Sequence, residues 1–412
     1  MADGLNQPLE SRQLESDQLE SDQLESHQLE SYQDEIYLGG VGGATPVLPM
    51  NLAALEDLAR ERMVDASFDY IRGGAGTEDT VRENTAAFRR WRIVPRMLTD
   101  VSAASYASTV LGTRLAAPIL LGPVGVLKIA HPDGEVAVAR AAAAAGVPMV
   151  MSTAASCTIE EVAEANGHGQ RWFQLYWPKD RDVALSFLGR AKAAGFGVLV
   201  LTLDTRLLGY RPRDLDRAFL PFLRGIGNQN YFSDPAFVGV LPGPVAEHLD
   251  AAILHWVQIF GDASLTWADL PFLREHWDGP IVLKGIQSVA DAERAADAGM
   301  DGIVVSNHGG RQVDGGIAAL DALPPIAAAA GSRLTVLFDS GIRGGADIVK
   351  ALALGARAVL IARPYAYALG LAGEEGVRHV LRALRQDFEL TMRLAGHASL
   401  ADLTPDALTR IR

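Results

Sequence analysis

The sequence predicts an eight-stranded parallel α/β barrel (a TIM barrel), and three observations lead to this fold class. The chain has 412 residues, of which 49% are hydrophobic and 21% charged, so it can bury a large core. It contains eight short apolar runs, and Ala-rich stretches of helical character lie between them. The runs are apolar at nearly every position, which is typical of parallel strands that are covered on both faces.

The predicted strands follow one another along most of the chain. They span residues 118–122, 147–152, 172–176, 198–204, 280–285, 302–306, 334–339 and 358–363. The helix-like segments between them span residues 134–145, 158–165, 181–194, 289–298, 317–330 and 345–354. The alternative is an open doubly wound sheet, but no Gly-x-Gly-x-x-Gly motif follows a first strand. Repeated strand-helix units therefore favour a closed barrel.

The longest gap between predicted strands, residues 205–279, follows the fourth strand and is too long for one helix. It begins with three arginines, Arg211, Arg213 and Arg217, on the side of the barrel where active sites form. We expect this insertion to act as a lid over that site.

A repetitive acidic segment precedes the barrel. Residues 9–33 repeat Leu-Glu-Ser-x-Gln five times, and residues 1–35 hold ten acidic residues against one basic residue. A step of five residues advances about 140° around a helix, so the leucines form no stripe that could offset the entropy of ordering. We predict that residues 1–33 are a disordered low-complexity tail or a transient helix, with a docking segment as the alternative. Residues 34–412 are predicted to form the barrel domain.

Composition argues against several classes of protein. The net charge of -13, without a basic stripe, argues against nucleic acid as a partner. No uncharged apolar run approaches the roughly 18 residues of a membrane span, and the N-terminus lacks the order of a secretory signal. Cys157 is the only cysteine, so an intrachain disulfide cannot form. We therefore expect a cytoplasmic protein with no membrane span, and we predict no metal site.

Polar residues stand at the carboxyl ends of the predicted strands, from the second to the eighth. They are Ser152, Gln174, Tyr176, Thr202, Asp204, Lys284, Ser306, His308, Asp339 and Arg363. Any one of them could be a helix cap or a core hydroxyl that satisfies the backbone. A barrel builds its active site at this end, however, so the repeated pattern predicts a functional site.

The run SNHGGRQ at 306–312 is the sharpest local signal. His308 stands beside two glycines, whose backbone can approach a ligand closely, and imidazole titrates in the range that suits a general base. Asp204, at the end of another strand, is placed to hydrogen-bond the second ring nitrogen and to raise the proton affinity of the imidazole.

Two turns predict a phosphate site. Residues 340–345 (SGIRGG) follow the seventh strand and enter a helix, and residues 362–364 (ARP) follow the eighth. Loops at these places in barrels commonly hold phosphate through backbone N–H groups and a helix N-terminus. Together with Lys284 in the barrel mouth, they predict a phosphorylated cofactor such as FMN.

Six motifs resemble the family of FMN-dependent 2-hydroxy acid oxidases and dehydrogenases, and the resemblance runs from about residue 34 to the end. The motifs are SNHGGRQ (306–312), FQLY (173–176), LTLDT (201–205), LKG (283–285), FDSGIR (338–343) and ENTAAF (83–88). Residues 34–50, 209–225 and 362–377 are most similar to the lactate 2-monooxygenase branch of that family. The repetitive tail matches no part of it.

The resemblance implies a role for each matching residue. His308 is the implied base, with Asp204 behind it, and Tyr176 is the implied contact to the substrate oxygen. The implied ligands of the substrate carboxylate are Tyr70, Arg211 and Arg311, since a planar guanidinium grips a carboxylate with two hydrogen bonds. The implied FMN ligands are Pro123, Val124, Gly125, Ser152, Gln174, Thr202, Lys284, Ser306, Asp339, Ser340, Gly341, Ile342, Arg343, Ala362 and Arg363.

The implied function is the oxidation of a lactate-like L-2-hydroxy acid by oxygen, with oxidative decarboxylation of the lactate 2-monooxygenase type. The implied assembly is a homo-oligomer, either a tetramer or an octamer. The alternatives are a peroxide-releasing oxidase or a quinone-linked dehydrogenase that acts on a larger substrate and, remotely, a non-catalytic flavin-binding protein.

Two departures from many relatives bear on this choice. Gly125 replaces an alanine beside the cofactor, and the missing methyl is expected to let the keto acid stay bound. Ala154 replaces a larger residue and is expected to widen the substrate pocket.

Overall fold

A computed structural model describes residues 31–411, which fall into two compact units that divide after Pro46. The first unit contains the helix Tyr32–Val41, whose N-cap Ser31 accepts a hydrogen bond from the N–H of Asp34. Residues 1–30, and with them most of the predicted tail, lie outside the described residues. The predicted state of the tail and its boundary at residue 33 therefore stay predictions.

Eight parallel strands in the second unit close into a barrel, which confirms the predicted fold class. Each strand pairs with its neighbours along the chain, and the last pairs with the first to close the cylinder. All eight predicted segments overlap a barrel strand. The strands are β1 (Ile119–Leu121), β2 (Met149–Ser152), β3 (Arg171–Leu175), β4 (Leu199–Thr202), β5 (Ile281–Ile286), β6 (Gly302–Val305), β7 (Thr335–Phe338) and β8 (Ala358–Ile361).

Helices follow the strands and cover the outside of the barrel. Those after β1–β3 are Gly134–Ala145, Ile159–Asn166 and Arg181–Ala193, and those after β5–β8 are Val289–Asp297, Ala319–Ala330, Gly345–Ala353 and Arg363–Leu394. Three helices precede the barrel, namely Leu55–Arg62, Asp65–Arg72 and Asp79–Arg89. The six predicted helices are all present, within two residues at each end.

The insertion between β4 and β5 is also confirmed, and it is built from short elements. Its helices are Pro212–Asp216, Gln229–Phe232, Pro235–Val238, Leu249–Ile259 and Leu270–His276.

Single 3₁₀ turns occur both in the insertion and elsewhere. They lie at Leu52–Ala54, Leu127–Ile129, Pro221–Arg224, Trp267–Asp269, His308–Gly310, Leu400–Asp402 and Pro405–Ala407. No helix within residues 31–411 combines the length and apolar character needed to cross a membrane.

Two small antiparallel pairs complete the fold, and one of them closes the barrel at its amino end. Strand Trp91–Ile93 pairs with Leu408–Arg410, and Ser108–Val110 pairs with Thr113–Leu115. Val110 and Leu115 pack with the inward-facing strand residues in one buried cluster, and the indole of Trp172 donates to Thr113 Oγ1 (2.9 Å). The opposite, carboxyl end of the barrel is the one left for a site.

Candidate active site

A cleft lies at the carboxyl ends of the barrel strands. Its volume, which includes space open to solvent, is about 1180 Å³. Residues from the N-terminal helices, the strand ends and the insertion converge on it, as the parallel fold leads one to expect. Most of the predicted site residues line this cleft. They are Tyr70, Pro123, Val124, Gly125, Ser152, Tyr176, Arg211, Lys284, His308, Arg311, Asp339, Ser340, Gly341, Ile342, Arg343, Ala362 and Arg363.

The other predicted residues lie one step behind the cleft wall. Ser152 Oγ donates to Gln174 Oε1 (3.0 Å), and Gln174 Nε2 donates to Thr202 Oγ1 (3.0 Å). Lys284 Nζ donates to Ser306 Oγ (3.0 Å). Gln174 and Ser306 thus hold side chains that face the cleft, and Thr202 holds Gln174. Contact with FMN stays a prediction for these residues as for those that line the cleft.

Asp204 is also set back from the cleft, where it contacts His308. Its Oδ1 lies 2.7 Å from His308 Nδ1 and also accepts a hydrogen bond from the hydroxyl of Thr205 (3.1 Å). Burial alone would raise the pKa of Asp204, but the adjacent His308 and Lys284 lower it to about 2. The ionised carboxylate accepts a hydrogen bond from the protonated Nδ1. The lone pair on Nε2 is therefore the one available to a substrate.

The His308 imidazole is neutral near pH 7. Burial lowers its pKa, Asp204 opposes this shift, and the positive charges of Lys284 and Arg211 add to it, so the pKa lies below the ordinary value of 6.5. A neutral imidazole in contact with a carboxylate is the protonation state that a general base needs.

His308 stands on a tight left-handed turn, with φ of 57° at His308, 64° at Gly309 and 76° at Gly310. A Cβ on Gly309 would lie 2.8 Å from Arg363 Nη1, and one on Gly310 would lie 2.7 Å from the backbone nitrogen of Val81. The two glycines of the motif are therefore required both by backbone conformation and by close packing.

Two guanidinium groups line the cleft close to His308. Arg211 donates to the carbonyl of Arg311 (3.1 Å) and to Gln312 Oε1 (2.8 Å), whereas Arg311 donates to the carbonyls of Tyr70 (2.6 Å) and Gly73 (2.8 Å). Arg211 is only 5% exposed, and its burial, together with the charge of Arg311, lowers its pKa to about 10. Within residues 31–411 neither guanidinium lies within salt-bridge distance of a carboxylate, so the pair could hold an anion.

The other two arginines at the start of the insertion have a different role. Arg213 pairs with Glu78 (2.7 Å) and Asp69 (3.1 Å), and Arg217 pairs with Asp69 and Asp65. These ion pairs fasten the insertion to the N-terminal helices, and neither side chain lines the cleft.

A second group of residues that could hold an anion lies at the ends of β7 and β8. Arg363 donates to the carbonyls of Ile71, Gly73 and Gly309, and burial with nearby arginines lowers its pKa to about 9. Gly341 has a φ of 101°, and a Cβ there would lie 2.3 Å from the carbonyl oxygen of Asn84. The N–H groups of Gly341 and Ile342 have no hydrogen-bond partner among residues 31–411. Unpartnered N–H groups beside arginines suit a phosphate.

The charges of the cleft fit FMN together with a substrate carboxylate. Five cationic side chains line it, those of Arg211, Lys284, Arg311, Arg343 and Arg363, against the single carboxylate of Asp339. Burial would lower the pKa of Lys284, but Asp339, 3.2 Å away, and Asp204 outweigh it, so the pKa is raised and the ammonium stays charged. A fixed cation in the cleft can stabilise negative charge on a flavin ring.

Some wall residues carried no sequence signal. Phe222 and Phe260 come from the insertion and pack against Trp256. Their ring centroids lie 4.8 and 4.6 Å from that of Trp256. Aromatic residues in a long insertion are usually core, so nothing local marked these two as part of the cleft. Thr205 also lines it, and its place next to Asp204 in the LTLDT motif could have indicated this.

Comparisons with known proteins agree with this geometry. The family model described as FMN-dependent dehydrogenase matches residues 59–410. An FMN-dependent alpha-hydroxy acid dehydrogenase of Penicillium citrinum is 47% identical over 369 residues, which cover 89% of this chain and 92% of the relative. An L-lactate oxidase of Lysinibacillus sphaericus (strain C3-41) is 40% identical over 362 residues, which cover 88% of this chain and 93% of the relative.

A solved structure is similar as well. The crystal structure of a mandelate oxidase with (S)-4-hydroxymandelic acid has a TM-score of 0.78 and 40% sequence identity, and the match covers 88% of this chain and 98% of that one. The chain therefore belongs to the FMN-dependent dehydrogenase family, and it is an FMN-dependent 2-hydroxy acid oxidoreductase.

Proposed function

We propose that this protein oxidises an L-2-hydroxy acid with oxygen as the electron acceptor, by a reaction of the lactate 2-monooxygenase type. The observation that carries the proposal is one cleft that holds a carboxylate-supported imidazole, His308, together with two guanidinium groups that form no salt bridge within residues 31–411, the buried one of Arg211 and the half-buried one of Arg311. This set of groups matches a small molecule that carries both a carboxylate and a proton to be removed.

Each residue then has a distinct task. Arg211, Arg311 and Tyr70 bind the substrate carboxylate, and His308 removes the hydroxyl or α proton while Asp204 stabilises the imidazolium. Burial raises the pKa of Tyr176 to about 12, so its phenol keeps its proton and donates a hydrogen bond to the substrate oxygen. FMN, when bound, accepts two electrons from the substrate and passes them to the acceptor.

The monooxygenase-type outcome requires that the keto acid stays bound while oxygen reacts. Three apolar residues of the insertion, Leu208, Phe222 and Phe260, line the cleft, and their contact with the keto acid would support such retention. Product analysis with L-lactate and oxygen tests the proposal: acetate, carbon dioxide and water are expected. Stoichiometric pyruvate and free hydrogen peroxide would refute it.

One observation bears on the second candidate, a peroxide-releasing oxidase, because it gives Gly125 a packing role that does not depend on the fate of the keto acid. A Cβ on Gly125 would lie 2.6 Å from the carbonyl oxygen of Ala154, which also accepts a hydrogen bond from the N–H of Val126. The missing methyl thus lets two loops pack together, and the expectation that it also lets the keto acid stay bound remains a prediction. Glycine at 125 is explained by packing alone, whichever way the reaction with oxygen proceeds.

Replacing Gly125 by alanine is therefore expected to lower stability and FMN content. The new methyl must push the β1 loop away from the β2 loop, because the atom that it meets is main chain and cannot move aside cheaply. Thermal unfolding and the flavin-to-protein absorbance ratio measure the effect. An Ala variant that keeps both values but releases peroxide in place of decarboxylated product would show that Gly125 acts on the fate of the keto acid.

The variant Ala154→Trp is expected to discriminate against large substrates. Ala154 is buried in the cleft wall, and a large side chain there fills space that a substrate side chain would occupy. We expect kcat/KM for mandelate to fall by about 10-fold or more, with a much smaller change for lactate. Steady-state rates with both acids on wild type and variant provide the measurement, and an equal loss for the two would contradict this assignment.

The pH dependence of kcat/KM is expected to show an acid limb below pH 6.5. The pKa of His308 is lowered below its ordinary value of 6.5, so the base becomes protonated and inactive at a lower pH than an ordinary histidine would. Initial rates at low substrate concentration from pH 8 to below pH 6.5 test the sign. An acid limb centred above pH 7 would mean that the imidazole is more basic than its environment indicates.

We further propose that the protein is cytoplasmic, as its composition led us to expect, and, from the resemblance alone, that it is a homo-oligomer. Sedimentation of the purified protein would test the assembly, since a monomer is incompatible with the tetramer or octamer that we expect.

A further inference from the structure

A pair of buried amides joins the loop of His308 to an N-terminal helix. Asn84, on the helix Asp79–Arg89, donates to Asn307 Oδ1 (2.8 Å), and Asn307 donates back to Asn84 Oδ1 (2.7 Å). The two side chains are 2% and 5% exposed and stand 223 residues apart in the chain. Reciprocal amide bonds of this kind fix both partners in orientation as well as in distance.

The same two amides also satisfy the turn that carries His308. Asn307 Oδ1 accepts from the N–H of Gly310 (3.1 Å), and its Nδ2 donates to the carbonyl of Ile317 (3.1 Å). Asn84 Oδ1 accepts from the N–H of Ala319 (3.2 Å). The pair therefore fixes both the turn His308–Gly310 and the start of the helix that follows it.

This support matters because the turn has a costly conformation. His308 is a non-glycine residue at φ 57°, a region that such residues adopt only where their surroundings hold them. Loss of the amide pair would free Asn307, the N-cap residue of that turn, and with it the backbone that aims the imidazole.

We propose that Asn84 is a positioning residue for His308, acting through Asn307, an inference that rests on the proposed role of His308 as the base. Asn84 touches neither the cleft nor the imidazole, so its effect on the reaction is indirect. Its contact with the phosphate-site glycine Gly341 is made by its main-chain carbonyl, so a change of the Asn84 side chain leaves that contact in place.

The central test is the variant Asn84→Asp, which has nearly the same shape. When the introduced carboxyl group is ionised, it accepts from Asn307 Nδ2 but places an oxygen against Asn307 Oδ1, whereas the protonated group can donate to that atom and restore the reciprocal pair. The rate of anaerobic flavin bleaching by substrate is expected to fall at least 10-fold at pH 8. The ratio of the variant rate to the wild-type rate is expected to rise at least threefold between pH 8 and pH 5.5.

A purely electrostatic effect gives the opposite trend. A negative charge at position 84 would raise the pKa of His308 and so lower the ratio at acid pH. A constant or falling ratio, or bleaching at the wild-type rate throughout, would overturn the proposal. Loss of FMN from the variant would also overturn it, because Asn84 would then support the cofactor site.

Hydrogen exchange and a control variant distinguish a failure of this proposal from a failure of the proposed function. Hydrogen exchange followed by mass spectrometry is expected to show faster uptake in residues 306–312 of Asn84→Leu, with residues 338–343 unchanged, and this readout needs no activity. Unchanged uptake in 306–312 would overturn the proposal even if no hydroxy acid bleaches the wild-type flavin. Thr85→Ala serves as the matched control, since its hydroxyl bonds the carbonyl of Arg82 within the same helix, and it is expected to behave as wild type.

Discussion

Replacing His308 by glutamine is expected to slow anaerobic flavin bleaching by substrate by about 10²- to 10⁴-fold, the range typical of a lost general base. Glutamine is polar and of similar length but cannot take up the proton. Asp204 would lose its imidazole partner (2.7 Å) and remain near Lys284, one of the groups that lower its pKa. Stopped-flow absorbance with an L-2-hydroxy acid measures the rate directly.

The flavin itself provides the control for this variant. Bound FMN should still be reduced by dithionite at the wild-type rate, because that reaction needs no base from the protein. If the His308→Gln protein bleached with substrate within threefold of the wild-type rate, another residue would have to remove the proton.

Replacing Arg211 by methionine is expected to lower kcat/KM by roughly 30-fold to several thousand-fold. This range corresponds to the 2–5 kcal/mol lost when one partner of a buried charge pair is removed. The guanidinium is buried and has no carboxylate partner among residues 31–411, so the substrate carboxylate is the partner that we propose for it. Steady-state kinetics with several 2-hydroxy acids provide the measurement.

A nearby arginine separates substrate binding from general effects of charge. Arg217 lies in the same segment but pairs with Asp69 and Asp65 outside the cleft, so Arg217→Met should leave kcat/KM within about threefold of wild type. Equal losses in the two variants would mean that these arginines act through the fold of the insertion. The kcat/KM of Arg211→Lys should lie between those of wild type and Arg211→Met, since lysine keeps the charge but loses the bidentate geometry of the guanidinium.

The architecture could be predicted because it depends on local patterns. Eight continuously apolar segments, each followed by an Ala-rich helical stretch, leave few arrangements that bury both faces of every strand. The place of the site followed from the same rule, because parallel strands bring their carboxyl ends to one rim. His308 and Lys284 could thus be assigned to one cleft although they stand on different strands.

The distinction between residues that face the cleft and residues behind it could not be read from the sequence. Gln174, Thr202 and Ser306 lie at or near strand ends, as Ser152 and Lys284 do, yet only the latter two line the cleft. Strand sequences give the order of side chains along the barrel, but the tilt and packing of each strand decide how far its last residue projects.

Continuous apolar runs indicated the barrel and the rim that carries the site, and short motifs indicated the kind of chemistry through a resemblance, because both are patterns of neighbouring residues. The packed chain was needed to show which arginines face the cleft and which form ion pairs, that Gly125 makes room for the carbonyl of Ala154, and that Asn84 bonds Asn307 beside His308. Those features are contacts between distant parts of the chain, and they depend on distances that exist only after the strands and loops have packed.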